Sequence, residues 1–251
     1  NDNFIPQDSE KILKKSIDSL LEIVFNPLTE NNGFKEEYVK QEKENIKRII
    51  EGKTDNKARY AYDRCIEEMY KNKPYGLYKY GYVEDLNSIT GKELYEYYKK
   101  MIAECKIDIF ISGDIENITD IVKENENIKN LHERDAKYVI NTIEEKQSTE
   151  EREIKEDQGK IVIGLDVHLE DKKQKYDTVV YNAILGGTAN SKMFQEVREK
   201  ASLAYSAGSG YVSNKSNIFI KCGIEIKNYE KAMQIIRKQL EDMKKGIFTD
   251  E

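Results

Sequence analysis

The sequence predicts an α+β protein in which helices pack on antiparallel sheets. The evidence is clearest in residues 160–251, where strand-like and helix-like apolar patterns follow one another in the order β-α-α-β-β-α. In residues 1–116 four helical patterns precede a single strand-like run. One strand cannot cover the apolar faces of several helices, so this half is predicted to be incomplete or to pair with strands elsewhere.

Four amphipathic stretches and one β-branched run make up the first half. Apolar side chains recur on one helical face in each stretch, and Thr90 is a suitable N-cap for the last of them. The run Ile107–Ser112 (IDIFIS) alternates β-branched and other residues and ends at Gly-Asp, which predicts a strand. The four predicted helices are Ser9–Phe25, Phe34–Ile50, Asn56–Tyr70 and Lys92–Met101.

The second half alternates strands and helices, with the helices predicted to cover one face of a sheet. The last two strands are separated by a short polar turn and are expected to pair as antiparallel neighbours. The predicted strands are Ile161–Leu169, Leu203–Val212 and Ile218–Ile226, and the predicted helices are Tyr176–Leu185, Lys192–Lys200 and Tyr229–Lys245.

A polar region separates the halves. Asn117–Glu133 is predicted to form a polar helix, and Glu144–Gly159 (EEKQSTEEREIKEDQG) is almost wholly charged, which is typical of a solvated connector. We therefore divide the chain into a first domain (1–116), a charged linker region (117–159) and a second domain (160–251).

Composition excludes several classes of function. The net charge is -6 and Lys is mixed with Glu, so no basic stripe indicates a nucleic-acid partner. No apolar run approaches the roughly 18 residues of a membrane span. The cysteines Cys65, Cys105 and Cys222 are odd in number and far apart, which indicates reduced thiols and a cytoplasmic location.

The chain also lacks the usual motifs of a hydrolase. His132 and His168 lie in different halves, and neither belongs to an H-E-x-x-H or H-x-x-E-H arrangement. The pair Gly186-Gly187 lacks the Lys-Ser/Thr of a phosphate-binding loop. No catalytic residue, metal ligand or cofactor is therefore predicted in this chain.

The most informative segment is Ile184–Ser206. Gly186-Gly187 is predicted to form a flexible break, followed by a short helix presenting Arg198 and a strand that opens at Tyr205. An Arg guanidinium is a multi-donor fork suited to carbonyls or carboxylates, and a Tyr hydroxyl can donate to an oxyanion. These residues alone still favour a structural role, with Arg198 paired to a nearby Glu and Tyr205 packed in the sheet.

The pattern LGG-x3-S-K-M-F-x2-V-R-E-K-x2-L-A-Y-S in this segment closely resembles the second-domain motif of the M16 metallopeptidases, the pitrilysin, insulinase and mitochondrial-processing-peptidase-like family. A looser likeness to the late part of the family's first domain runs from Phe34 to Asp114 and includes Pro74-Tyr75-Gly76. The resemblance covers most of the chain outside the charged linker.

The resemblance implies two similar αβ domains, each incomplete here, that close over an extended peptide. It implies a zinc site, H-x-x-E-H plus a downstream Glu, in the first domain. It also implies substrate contacts from an Arg and a Tyr seven residues later in the second domain. Arg198 and Tyr205 have that spacing, and we assign them to substrate binding together with Gly186 and Gly187.

The resemblance also identifies a departure from the family pattern. Glu42 corresponds to the family's motif Glu, but Ile49 stands where the ligand Glu is expected, and an aliphatic side chain cannot bind zinc. Glu51 lies about 200° from that position around a helix. The H-x-x-E-H is expected before Asn1, so the chain resembles an internal fragment of a non-catalytic member.

The resulting hypothesis is an inactive M16-like subunit that supplies Arg198 and Tyr205 to the zinc site of a homologous partner, in a homo- or heterodimer. The peptide is expected to add as a strand to a sheet edge, with Tyr205–Val212 as a candidate. Two alternatives stay open. One is an active zinc endopeptidase with a displaced ligand such as Glu51, and the other is a structural paralogue.

Overall fold

The structure is a computed structural model that describes residues 9–112, 118–129, 131, 134–135, 149, 151, 158–171 and 173–248. Its helices are α1 (Ser9–Phe25), α2 (Glu36–Glu51), α3 (Lys57–Met69), α4 (Val83–Leu86), α5 (Gly91–Glu104), α6 (Ile118–Glu124), α7 (Glu126–Lys129), α8 (Gln174–Asn182) and α9 (Tyr229–Lys244). Its strands are β1 (Thr29–Glu30), β2 (Gly33–Phe34), β3 (Gln158–Asp166), β4 (Ala204–Val212) and β5 (Asn217–Glu225). None of the described helices is long and apolar enough to cross a membrane.

The chain forms two compact units that do not follow sequence order. The first takes its described residues from 1–49 and 82–139, and the second takes them from 50–81 and 140–251. The second unit therefore includes α3, which comes from the first half of the sequence. The division at 117–159 stays a prediction, and most of its charged segment lies outside the described residues.

The first unit packs helices around a small hairpin. β1 and β2 pair antiparallel through Asn31 and Asn32, both with positive φ, as a two-residue hairpin turn requires. This turn explains why α2 begins at Glu36 and not at Phe34 as predicted. The Phe34 ring contacts Tyr95 and Tyr98 of α5, with ring centroids 5.2 and 5.6 Å away.

Most predicted helices are confirmed, and their ends follow capping chemistry. α1 has the predicted bounds, and α3 begins after Asn56, whose side chain accepts from Arg59 N–H. The predicted N-cap Thr90 forms a capping box with Glu93 at the start of α5. The single polar helix predicted over Asn117–Glu133 is two short helices, α6 and α7.

The predicted strand Ile107–Ser112 was wrong. This segment is irregular, and Phe110 is 92% exposed. A strand needs a neighbouring edge for its N–H and C=O groups. Within the described residues of the first unit, β1 and β2 are only two residues long, and neither pairs with this segment.

The second unit is built on an antiparallel sheet of order β3-β5-β4, and the predicted pairing of the last two strands is confirmed. One face of β5 packs against α9 and the helical segments between β3 and β4, which agrees with the predicted layer. The buried core consists of Leu185, Met193, Val197, Ile218, Ile220, Cys222, Ile224, Ala232, Ile236 and Met243.

Helix α3 packs on the opposite face of the same sheet, which the prediction of helices on one face did not include. Tyr62 meets the Phe219 ring edge-on at 4.7 Å. The hydroxyl of Tyr70, 2% exposed, donates to Asn217 Oδ1 at 2.5 Å. A Cβ on Gly164 would collide with Met69, so glycine allows α3 to approach β3 closely.

Candidate functional site

Arg198 lies in a π-helical segment, Phe194–Lys200, that leads to β4. Its guanidinium carbon lies 4.6 Å from the centroid of the Phe194 ring, and Nε lies 3.6 Å from Glu199 Oε1. The predicted Glu pairing is thus present, but the side chain is 43% exposed. Stacking holds the guanidinium in place while most of its five N–H donors stay available to a ligand.

The turn after this helix is tightly fixed. Ser202 adopts a positive φ of 51° and donates its N–H to the Arg198 carbonyl at 3.1 Å. Leu203 N–H donates to the Val197 carbonyl at 3.2 Å. These bonds are those of a left-handed C-terminal cap, widened by the π-helix. Val197 and Leu203 are both buried, so the turn is anchored in the core.

Tyr205 lies just beyond this turn, where β4 is irregular; among the described residues β4 is at the edge of the sheet. Ala204 pairs with Ile224 and Ser206 with Gly223, so Tyr205 is the extra residue of a β-bulge. Its side chain is 59% exposed, which excludes the alternative of a residue packed in the sheet. Bulges at sheet edges commonly re-aim a side chain, often near a functional site. Arg198 and Tyr205 therefore flank one rigid turn, both facing solvent.

As predicted, the helix is interrupted at Gly186 and Gly187, and Thr188 is already extended. They end a π-helical turn, Ala183–Gly187, that continues α8. Gly186 is buried, and a Cβ there would lie 2.4 Å from Ser209 N. The Ser209 hydroxyl also donates to Asn182 Oδ1 at 2.8 Å. Glycine is needed here for close packing on β4, and contact of either glycine with substrate stays a prediction.

The family's zinc-ligand position lies on α2. Glu42 is exposed and accepts a 3.2 Å hydrogen bond from Asn45. Two turns further along the same face, Ile49 is 43% exposed, and Glu51 lies on another face. Across the described ranges, no group of three His, Cys, Asp or Glu side chains could hold a metal ion. The donors present do not fit zinc.

The cysteines offer no obvious nucleophile. Burial raises the pKa of Cys65 and of Cys222 to about 11, which keeps both thiols protonated at neutral pH. Cys105 is exposed, and all three cysteines are free. The arrangement can hold a ligand through Arg and Tyr donors but has no assigned group for bond cleavage.

Comparison with known proteins identifies the family. The profile described as "Peptidase M16 inactive domain" matches residues 88–251. The chain belongs to this family. It is 35% identical over 258 aligned residues to "Probable inactive metalloprotease YmfF" of Bacillus subtilis (strain 168), which covers 100% of the chain and 59% of that protein. The M16 resemblance of the sequence is therefore confirmed.

Other M16 relatives and solved structures extend this result. The chain is 25% identical over 239 residues to "Uncharacterized zinc protease YmxG" of the same bacterium, covering 93% of the chain and 56% of that protein. A conserved protein from Enterococcus faecalis V583 superposes with TM-score 0.81 at 28% identity, over 100% of this chain and 59% of that one. A peptidase M16 inactive domain from Pseudomonas fluorescens has the same fold, with TM-score 0.71 at 18% identity over 93% and 57%.

These comparisons make the chain an M16-family, inactive-metalloprotease-like protein with a mixed helical and antiparallel fold. It spans about three-fifths of the length of these relatives. Four relatives, including YmxG, carry the name zinc protease, so zinc is associated with the family, whereas the donors described in this chain do not fit it.

Proposed function

We propose that this chain is the non-catalytic part of an M16 assembly and holds an extended peptide for the zinc site of a homologous partner chain. Arg198 and Tyr205 are the residues that contact the peptide. The observation that carries the proposal is their placement at the two ends of one rigid, core-anchored turn, with both side chains exposed.

The geometry suits binding because the Arg198 and Tyr205 side chains have little conformational freedom to lose when a peptide binds. The Phe194 ring supports the Arg198 guanidinium, and the bulge fixes where Tyr205 leaves the sheet. Pre-positioned donors contribute more to binding than mobile ones, since ordering them costs less entropy. In this role Arg198 donates to a peptide carbonyl or carboxylate, and the Tyr205 hydroxyl donates to a carbonyl oxygen.

The assignment of peptide binding to this chain and of the zinc to a partner chain follows from the residues at the family's zinc-ligand positions. Ile49 occupies the position of the family's downstream ligand, so the catalytic metal is assigned to a partner that carries H-x-x-E-H. A homo- or heterodimer would bring the two sites together. The three free thiols support a reducing compartment, and we place the assembly in the cytoplasm.

The test is peptidase activity of the full-length protein mixed with a homologous M16 chain that carries H-x-x-E-H. Activity should appear on mixing and should fall about 100-fold in Arg198→Ala and in Tyr205→Phe, by analogy with loss of an oxyanion donor. Arg237→Ala is the matched control, because Arg237 is exposed on α9 and outside the proposed site.

Two outcomes would contradict the proposal. Stoichiometric zinc in the full-length protein alone would favour an active endopeptidase with a displaced ligand. Activity of the mixture that is unchanged by both substitutions would favour a scaffolding role.

A further inference from the structure

A carboxylate, that of Glu199, lies next to the guanidinium of Arg198. Glu199 Oε1 is 3.6 Å from Arg198 Nε, and the Glu199 side chain is 50% exposed. The Phe194 ring, whose centroid is 4.6 Å from the guanidinium carbon, supports the same group from one face. One edge of the guanidinium therefore faces a carboxylate, and its terminal nitrogens are left for a ligand.

This carboxylate changes which ligands Arg198 can hold. A guanidinium on its own prefers an anion, because a charge-assisted hydrogen bond to a carboxylate is stronger than a bond to a neutral carbonyl. Beside Glu199, a ligand carboxylate meets a like charge about 5 Å away, which weakens its binding about three- to fivefold in water-like surroundings. A carbonyl oxygen has no net charge and is not weakened in this way.

The position of Arg198 in its helix acts in the same direction. Arg198 belongs to the last turn of the helical segment Phe194–Lys200, the end at which a helix presents carbonyl groups and not N–H groups. The C-terminal end of a helix carries partial negative charge and disfavours a nearby anion. The other cation of this last turn, Lys200, pairs with Glu196 at 2.6 Å, so its charge is also balanced.

Two further lysines lie on the Tyr205 side of the turn. Lys227 pairs with Glu225 at 2.7 Å, and the pKa of Lys227 is raised, mainly by this hydrogen-bonded pair and in smaller part by the nearby Tyr205 hydroxyl. Lys160 lies across β5 from the bulge, and its Nζ donates to the Gln158 amide oxygen at 3.1 Å. A carboxylate thus balances Lys227, whereas the charge of Lys160 needs a control of its own.

We infer that Glu199 is a specificity-determining residue of the proposed peptide site. By balancing the charge of Arg198, Glu199 makes the site select the carbonyl oxygens of an internal stretch of polypeptide and reject a free C-terminal carboxylate. This role rests on the proposed function, because Arg198 must contact the peptide if Glu199 is to influence the choice.

The experiment compares two labelled hexapeptides that are identical except that one ends in a free carboxylate and the other in a carboxamide. Their binding to the full-length protein is followed by fluorescence anisotropy at low salt. The native protein should bind the amide at least as tightly as the acid. Glu199→Gln keeps the size of the side chain and removes its charge, so the acid should bind about three- to fivefold more tightly, and the amide should stay within about twofold of its native affinity.

Matched variants assign the effect to the pair Arg198 and Glu199. Glu241→Gln removes a carboxylate of α9 that pairs with Lys244 at 2.9 Å, outside the proposed site, and should leave the acid-to-amide ratio unchanged. Lys160→Gln should lower acid binding by the same factor with and without Glu199→Gln. Arg198→Ala should weaken both peptides, and in that background Glu199→Gln should no longer change the ratio.

Two kinds of failure can be told apart. The role of Glu199 is wrong if the native protein binds the acid more tightly than the amide, or if Glu199→Gln does not raise the acid-to-amide ratio. It is also wrong if the rise persists in the Arg198→Ala background. In each case, weaker binding of both peptides by Arg198→Ala would still support the proposed function. If Arg198→Ala leaves both affinities unchanged, or if neither peptide binds, the proposed function and the role of Glu199 both fail.

Discussion

Strand β5 and the segment Ile107–Ser112 have similar sequences and opposite surroundings. In both, isoleucine recurs at alternate positions and one position between is a phenylalanine, as in IFIKCGIEI and IDIFIS. β5 lies between two strands and Phe219 is 1% exposed, whereas Phe110 is 92% exposed in an irregular segment. A period-two pattern indicates that a segment can form a strand. The strand forms only where the edge of a neighbouring strand supplies hydrogen-bond partners for its backbone.

The largest expected effect tests this contrast with one substitution at two positions. Phe219→Ala should destabilise the second unit by about 3–5 kcal/mol, because it empties a packed site beneath Tyr62. Phe110→Ala should change stability by no more than about 0.5 kcal/mol. Amide hydrogen exchange of β5 and of α5 would measure the two free energies of opening separately.

If Phe110→Ala caused a large loss of hydrogen-exchange protection in α5, the contrast between Phe110 and Phe219 would be wrong. It would mean that the Ile107–Ser112 segment is covered in solution by chain or by another molecule.

A smaller effect should distinguish two glycines of the second unit. Gly186→Ala places a methyl group 2.4 Å from Ser209 N and should cost about 1–3 kcal/mol, because two backbones must move apart. Gly210→Ala enters open space and should change stability by less than about 0.5 kcal/mol. Urea unfolding followed by circular dichroism gives both values. Equal costs would show that conformational freedom, and not close packing, explains Gly186.

The smallest effect concerns the thiol buried in β5. Burial raises the pKa of Cys222 from 9.0 to about 11, so the folded protein keeps this proton at pH values where the unfolded chain loses it. The resulting stability is complete below pH 9 and is lost as the pH rises towards 11. Between pH 9 and pH 11 the free energy of unfolding should fall less in the Cys222→Ala variant than in the native protein. The expected difference is on the order of 1 kcal/mol. Urea midpoints at pH 8, 9, 10 and 11 measure the difference, and parallel curves would contradict it.

Local signals were sufficient to predict much of the fold. Asn56 and Thr90 mark helix starts by capping chemistry that operates within four residues, and the antiparallel pair β4–β5 follows from two strand patterns and a short turn. The docking of α3 onto the far face of the sheet depends on Gly164, Tyr70 and Asn217 meeting across long sequence separations. No local pattern specifies such contacts.

The candidate site was predictable in part. Resemblance selected Arg198 and Tyr205, and their exposure is what a binding role requires, but the left-handed Ser202 and the bulge that fix them were not predicted.

The hydrogen bond from Tyr70 to Asn217 joins residues 147 positions apart. When the ribosome has made α3, the surface on which that helix packs does not yet exist. The apolar side chains around Tyr62 and Met69 therefore stay unpacked until the 147 residues from Tyr70 to Asn217 have been synthesised. The second unit should consequently fold late and slowly, since contacts of long sequence separation limit folding rates. During that interval α3 is the segment on which a chaperone would act.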